Sequence, residues 1–326
     1  MSLPQYFEFD NGDRMPRIGF GTWQASDEEL EKAVEAALAA GYRHIDTARA
    51  YENEAALGRA LKRWTGGDPE RRKELFITTK LPPGGNRPDL VQEYFDASLR
   101  DLDLEYVDLY LIHVPFAFEH VLGDLHPKNP DGSMRVDHST DLIAVWKELV
   151  KLKQCGLARH IGVSNMTEQQ LDRLSAVAKP ECLQVEVHAL CQQPALAAGC
   201  ARRGVPLVAY SPLGSRALAN ALAAKTGREY PDLLSLGPVA AAAAAHARTP
   251  AQVLLRQLVQ RGLAAIPKST NPERIKQNIS VWDFELTEAE MAALAALDRG
   301  EDGRICDFTF FPGVEKHPEF PFKKVN

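Results

Sequence analysis

"DEELEKAVEAALAAGYRHID", residues 27–46, holds a helix signal followed at once by a strand signal. Leu30, Val34, Ala37 and Leu38 recur at the spacing of one helix face, and His44–Asp46 then reads as a short strand ending on a carboxylate. The same alternation extends in both directions. Apolar strand-like runs fall at Ile18–Trp23, His44–Asp46, Leu75–Leu81, Val107–His113, His160–Ser164, Leu183–His188, Pro206–Tyr210 and Leu263–Lys268. Helical spacing lies between them, as at Leu142–Leu152 and Glu168–Val177. About eight strand–helix repeats within roughly 250–300 residues predict an α/β fold of the (β/α)8, or TIM-barrel, type.

Upstream, Asn11-Gly12 between short apolar runs predicts an N-terminal β-hairpin. After the seventh run Ser215–Ser235 reads as a longer connection, Ala240–Ala245 as a packed surface helix, and Glu288–Leu297 as a further helix. The remainder shows no clear period and is expected to form a C-terminal loop over the barrel mouth. The expected organisation is a single barrel domain over residues 1–326.

Composition narrows the function classes. The chain has 326 residues, 45% of them hydrophobic, and a net charge of −6 with both signs interspersed. No basic block points to nucleic acid, and no apolar run reaches the roughly 18 residues of a membrane span. The first ten residues lack the layout of a signal peptide. Cys155, Cys182, Cys191, Cys200 and Cys306 are odd in number and show no C-x-x-C spacing, which fits reduced thiols in a cytoplasmic protein.

In this fold the active site lies where the strands end. The runs end at Thr22-Trp23, at Asp46 with Tyr51 beyond it, at Lys80, at His113 and at Ser164-Asn165. The sixth carries Gln184, Glu186 and His188, and the last two lead into "AYSPLGS" and "AIPKST". Each residue alone has an ordinary reading: Asp46 as a helix cap, Lys80 as a strand end, His113 as a satisfied core histidine. Gathered at one barrel mouth they suggest chemistry. A tyrosine with an ordinary pKa of about 10 is a weak acid, and a nearby ammonium stabilises its phenolate. Lys80 supplies that charge if Asp46 holds it in place, while His113 orients a carbonyl oxygen toward Tyr51.

A metal-assisted hydrolase would require clustered histidines and carboxylates, whereas the nine histidines here are scattered, so no metal is expected. A proton donor without a hydrolytic base suggests hydride addition to C=O, with the hydride supplied by a cofactor. No G-x-G-x-x-G occurs. The loops 211–215 and 268–274 offer hydroxyls and backbone amides, and Asn271-Pro272 opens a helix that favours an anion. Lys268 and Arg274 add two positive charges, which suits NADPH/NADP+ over NAD(H).

The stretches "MPRIGFGTW", "GYRHIDTARAYENE", "LFITTKL", "LEYVDLYLIHVP", "IGVSN", "LQVEVH", "AYSPLGS", "IPKSTNPERIKQN" and "HPEFPF" closely resemble the aldo-keto reductases of the animal aldehyde and aldose reductase type, over nearly the whole chain. The resemblance implies a catalytic tetrad of Asp46, Tyr51, Lys80 and His113, with Tyr51 as general acid. It implies Ser164, Asn165 and Gln184 on the nicotinamide carboxamide and Tyr210 stacked on the ring. Ser211, Leu213 and Ser215 would line the pyrophosphate. Lys268, Ser269 and Arg274 would hold the 2′-phosphate, with Thr270 beside them and Asn278 on the adenine. Gly21, Thr22 and Trp23 would begin the cleft, and the substrate pocket would include Trp23, Val114, Cys306 and Phe308.

Three positions depart from the aldose reductase pattern. Val114 and Pro82 stand where tryptophans are common, and Gln277 stands where a glutamate is common. Losing two flat walls points away from glucose-like substrates, toward lipophilic aldehydes or steroid-like ketones such as 3-keto ecdysteroids. The expected protein is a monomeric NADPH-dependent carbonyl reductase acting on a small molecule. Its alternative is a cofactor-binding regulatory module of the same fold.

Overall fold

The computed structural model describes residues 4–322. Strands β1 (Tyr6–Glu8) and β2 (Arg14–Pro16) pair antiparallel, with Phe7 opposite Met15. Gly12 turns the chain between them at φ 85°, a left-handed value that costs glycine little.

Eight further strands form one sheet in sequence order: β3 (Phe20–Gly21), β4 (His44–Asp46), β5 (Phe76–Leu81), β6 (Val107–Ile112), β7 (Ala158–Ser164), β8 (Leu183–Glu186), β9 (Leu207–Tyr210) and β10 (Ala264–Ala265). Neighbours such as β5–β6, β6–β7 and β9–β10 run parallel. A parallel bridge from Ile18 to Ala265, with Gly19 N on the Ala265 carbonyl at 2.9 Å, joins the first strand's approach to the last. This is the predicted (β/α)8 barrel. Every residue of β4, β5, β6 and β8 is buried, as parallel strands covered on both faces require.

The intervening helices carry their own start signals. Thr167 with Gln170 and Thr249 with Gln252 form capping boxes that open Glu168–Ser175 and Pro250–Gln260. The quoted helix occupies Asp27–Ala39.

Two elements differ from the sequence reading. The connection 215–235 contains a helix, Arg216–Thr226, rich in Ala and Leu and closed by Gly227 at φ 70°. Strand β10 is only two residues long, because Pro267 has no amide to continue a ladder.

The described chain divides into two compact units. One comprises 4–21, 36–44 and 185–306, and the other 22–35, 45–184 and 307–322. In the second, the tail from Asp307 onward is tied down at several points. Met134 N donates to the Pro312 carbonyl, His317 Nε2 bonds the Asp137 carbonyl at 3.0 Å, and Arg173 pairs with Glu319 at 2.8 Å. Phe308, Phe311 and Phe320 of the tail pack with Phe116 and Phe118, with ring centroids 5.5–6.0 Å apart.

Candidate active site

Asp46 ends β4, and the chain turns at once into a single 3-10 turn, Arg49–Tyr51. Glu52, at φ 57°, reverses the path and leaves Tyr51 half-buried at the rim. Lys80 reaches this turn from β5. Its Nζ donates to Asp46 Oδ1 at 2.6 Å and to the Thr47 carbonyl at 2.8 Å, and lies 3.4 Å from the Tyr51 hydroxyl. The Asp46 and Lys80 side chains are only 2% and 1% exposed. Burial alone would push the Lys80 pKa down, but the Asp46 carboxylate and Tyr51 outweigh it and hold the ammonium above its ordinary value. The buried charge is therefore compensated, which an isolated ammonium would not be.

The other carboxylate oxygen is also used: Gln184 Nε2 donates to Asp46 Oδ2 at 2.7 Å. Thr22 Oγ1 donates to the Asp46 carbonyl, and Asn53 Nδ2 returns a bond to the Thr22 carbonyl. His113, just after β6, sets its ring edge-on to Tyr51 at 5.7 Å. Loss of hydration, followed by the Lys80 charge and His126, lowers the His113 pKa well below the ordinary value, so the imidazole is neutral near pH 7. Its Nδ1 is buried with no hydrogen-bond partner among the described residues. Asn165, left-handed at φ 57°, donates from Nδ2 to the His113 carbonyl at 2.9 Å and to Ser164 Oγ at 3.0 Å. Trp23 lies 6.5 Å from the Tyr51 ring. Val114 and Pro82 are buried.

All of these residues belong to the second unit. Phe308 lies in the second unit as well, and the first unit holds the remaining candidates. After β9, Ser211, Gly214 and Ser215 all have positive φ, at 48°, 83° and 35°. Ser215 stands before the helix Arg216–Thr226, whose start has no side-chain cap and no acidic residue. Its first-turn amides are therefore available to an anion. Leu213 packs against a buried cluster that includes Leu233 and Val239. After β10, Asn271 caps Pro272–Ile279 by accepting from Arg274 N at 3.0 Å, and Ser269 Oγ accepts from Asn271 N at 3.1 Å. Lys268 and Arg274 are exposed at this end, Thr270 is half-buried and Asn278 is buried. A Cβ on Gly21 would lie 2.9 Å from the Ile266 carbonyl oxygen, so the chain passes here only as glycine. Two anion-favouring sites with phosphate-type donors fit a phosphorylated dinucleotide.

The sequence reading missed the root of the tail. Glu186, fully buried on β8, accepts from Ile305 N and Cys306 N at 2.8 Å each and pairs with His188 Nε2 at 2.9 Å. Burial alone would raise its pKa, but His188, Arg304 and the Ile305 amide hold it below the ordinary carboxylate value. Burial, followed by the neighbouring Cys306 and Glu186, raises the Tyr210 pKa well above its ordinary value. The only signal was the alternation of Gln184, Glu186 and His188 on one strand face. Among the described residues no group of three or more His, Cys, Asp or Glu is arranged to hold a metal ion.

Fold and site together define the class, a (β/α)8-barrel oxidoreductase. The chain belongs to the aldo/keto reductase family, which it matches over residues 17–299, and it acts on carbonyl groups with NADP(H). It is 42% identical to aldo-keto reductase family 1 member A1 of Gallus gallus over 323 residues, covering 96% of this chain and 95% of that one. The Mus musculus protein of the same name is 43% identical over 322 residues, covering 95% and 96%. Among solved structures, the aldose reductase of Schistosoma japonicum superposes with a TM-score of 0.87 at 36% identity, covering all of both chains. A Bombyx mori aldo-keto reductase, solved in complex with NADP, superposes at 0.84 with 34% identity, covering 99% of this chain and 100% of that one.

Proposed function

We propose that this reductase converts lipophilic aldehydes or steroid-like ketones, of the 3-keto ecdysteroid kind, to alcohols, with Tyr51 as the general acid. The observation that carries the acid assignment is the Lys80 ammonium set between Asp46 and the Tyr51 hydroxyl. NADPH supplies the hydride when bound. The chain's own residues supply the proton and the orientation. Tyr51 donates its phenolic proton to the carbonyl oxygen, and the charged Lys80 stabilises the phenolate that remains. Asp46 keeps Lys80 charged, and Gln184 and Thr22 keep Asp46 in place. The neutral His113 ring, set edge-on to Tyr51, can donate from Nε2 to the substrate oxygen.

With the cofactor bound, Ser164 and Asn165 would hold its carboxamide and Tyr210 would offer an aromatic face to the nicotinamide. Ser211, Leu213 and Ser215 would serve the pyrophosphate. Lys268, Ser269, Thr270 and Arg274 would receive the 2′-phosphate, and Asn278 the adenine. Gln184 is engaged by Asp46, so its service to the carboxamide falls to its remaining groups. Trp23, Val114 and Phe308 are the proposed substrate-facing residues of the second unit, and Cys306 that of the first. The lipophilic preference rests on Val114 and the Phe116–Phe118–Phe308 cluster. The protein works as a single barrel domain and a cytoplasmic monomer.

The test is NADPH consumption across carbonyls from small aliphatic aldehydes to steroids. Turnover rising with lipophilicity is expected. NADPH binding without consumption of any member would overturn the enzymatic reading in favour of a regulatory module, and a preference for sugars would overturn the substrate class.

A further inference from the structure

We infer that Glu54 is a positioning residue for the Tyr51–Lys80 pair, acting through Thr79. The inference rests on the reading of Tyr51 as proton donor. Successive residues of a strand point to opposite faces, and β5 uses both at this point. Lys80 holds the Asp46–Tyr51 segment from one face. Thr79, its neighbour, donates from Oγ1 to Glu54 Oε1 at 2.6 Å from the other. Glu54 opens the helix Glu54–Thr65, three residues after Tyr51.

The same carboxylate accepts from Ser98 Oγ at 3.0 Å and from Arg49 Nη1 at 3.3 Å. Arg49 shares the 3-10 turn with Tyr51 and also pairs with Asp101. The turn is thus clamped at both ends, by Arg49 before the tyrosine and Glu54 after it, and Glu54 ties both to the strand that carries Lys80. The Glu54 side chain has no exposed surface, and burial raises its pKa despite Thr79, Ser98 and Arg49. Burying a carboxylate is costly. It does provide short, charge-assisted hydrogen bonds that fix the distance between two chain segments.

The distance at stake is the 3.4 Å from Lys80 Nζ to the Tyr51 hydroxyl. If it lengthens, the ammonium stabilises the phenolate less and Tyr51 becomes a weaker acid, while NADPH contacts are untouched.

The experiment compares Thr79→Val and Glu54→Ala, which release the strand, with Ser98→Ala, which removes a bond to the same carboxylate but leaves β5 tied. Glu54→Gln keeps an acceptor for Thr79, and Tyr51→Phe is the reference. NADPH affinity, Tm and the pH dependence of kcat are measured for each. We expect Thr79→Val and Glu54→Ala to lower kcat by about tenfold and to move its alkaline limb to higher pH, with NADPH affinity unchanged. Glu54→Gln should restore most of kcat. Ser98→Ala should lower Tm and leave the limb in place. An unmoved limb in Thr79→Val would overturn the inference and leave Glu54 with a structural role. Wild-type turnover by Tyr51→Phe would instead overturn the reading on which it rests.

Discussion

At the scale of single residues, the site depends on charges placed where water is scarce. His113 is neutral because burial and the Lys80 charge depress its pKa. A folded-state pKa below the unfolded value means that the native state binds fewer protons. The contribution to stability is then present above the unfolded pKa of about 6.5 and lost as pH falls below it. Wild-type protein should accordingly lose urea-unfolding stability between pH 7 and pH 5, and His113→Gln should lose less over the same interval. Equal losses would mean that His113 is not protonated on unfolding. Arg274 poses a separate question. Exposed at the start of Pro272–Ile279, it can add a charge-assisted contact to a 2′-phosphate. Arg274→Ala should weaken NADPH binding by roughly tenfold or more and leave NADH binding almost unchanged. A parallel loss for both cofactors would remove the assignment.

At the scale of elements, the tail is the most informative. Gly303 passes so close to Leu190 that a Cβ would lie 1.7 Å from its carbonyl oxygen, and the next residues are pinned by Glu186. Phe308, left-handed at φ 60° and 8% exposed, meets Phe116 with ring centroids 5.7 Å apart. If this cluster walls the substrate pocket, Phe308→Ala should raise KM for bulky carbonyls by roughly fivefold or more. KM for small aldehydes and NADPH affinity should hold. Selectivity that does not change across the panel would show that the cluster is packing alone. Deleting everything after Arg304 is a blunter test, since it also uncovers Phe116 and Phe118.

The elements also show what the sequence could disclose. His44–Asp46 and Val107–Ile112 were legible because an apolar run stops abruptly at a polar residue, and that stop is also where the chemistry lies. Arg216–Thr226 was missed because small residues on several faces blur its period. The pins were invisible for a different reason. Thr79 meets Glu54 across 25 positions, Arg49 meets Asp101 across 52 and Ile305 meets Glu186 across 119. No local pattern records such pairings, which only the closed fold creates.

At the scale of the whole molecule, the proton donor and the phosphate-type donors lie in different parts of the chain. Residues 22–35, 45–184 and 307–322 hold the proton donor and the aromatic cluster, and residues 4–21, 36–44 and 185–306 hold the anion-favouring helix starts. Binding and proton transfer should then be separable by mutation. That expectation is sharpest at Tyr51, whose hydroxyl is proposed to serve the substrate and not the cofactor. The most direct test is a single-turnover comparison of Tyr51→Phe with wild type, with NADPH affinity measured on the same preparations. We predict unchanged NADPH affinity and a hydride-transfer rate lower by about 10²–10⁴-fold, the usual worth of a general acid. A variant that bound NADPH normally and kept more than a third of the wild-type rate would contradict the assignment of Tyr51 as proton donor.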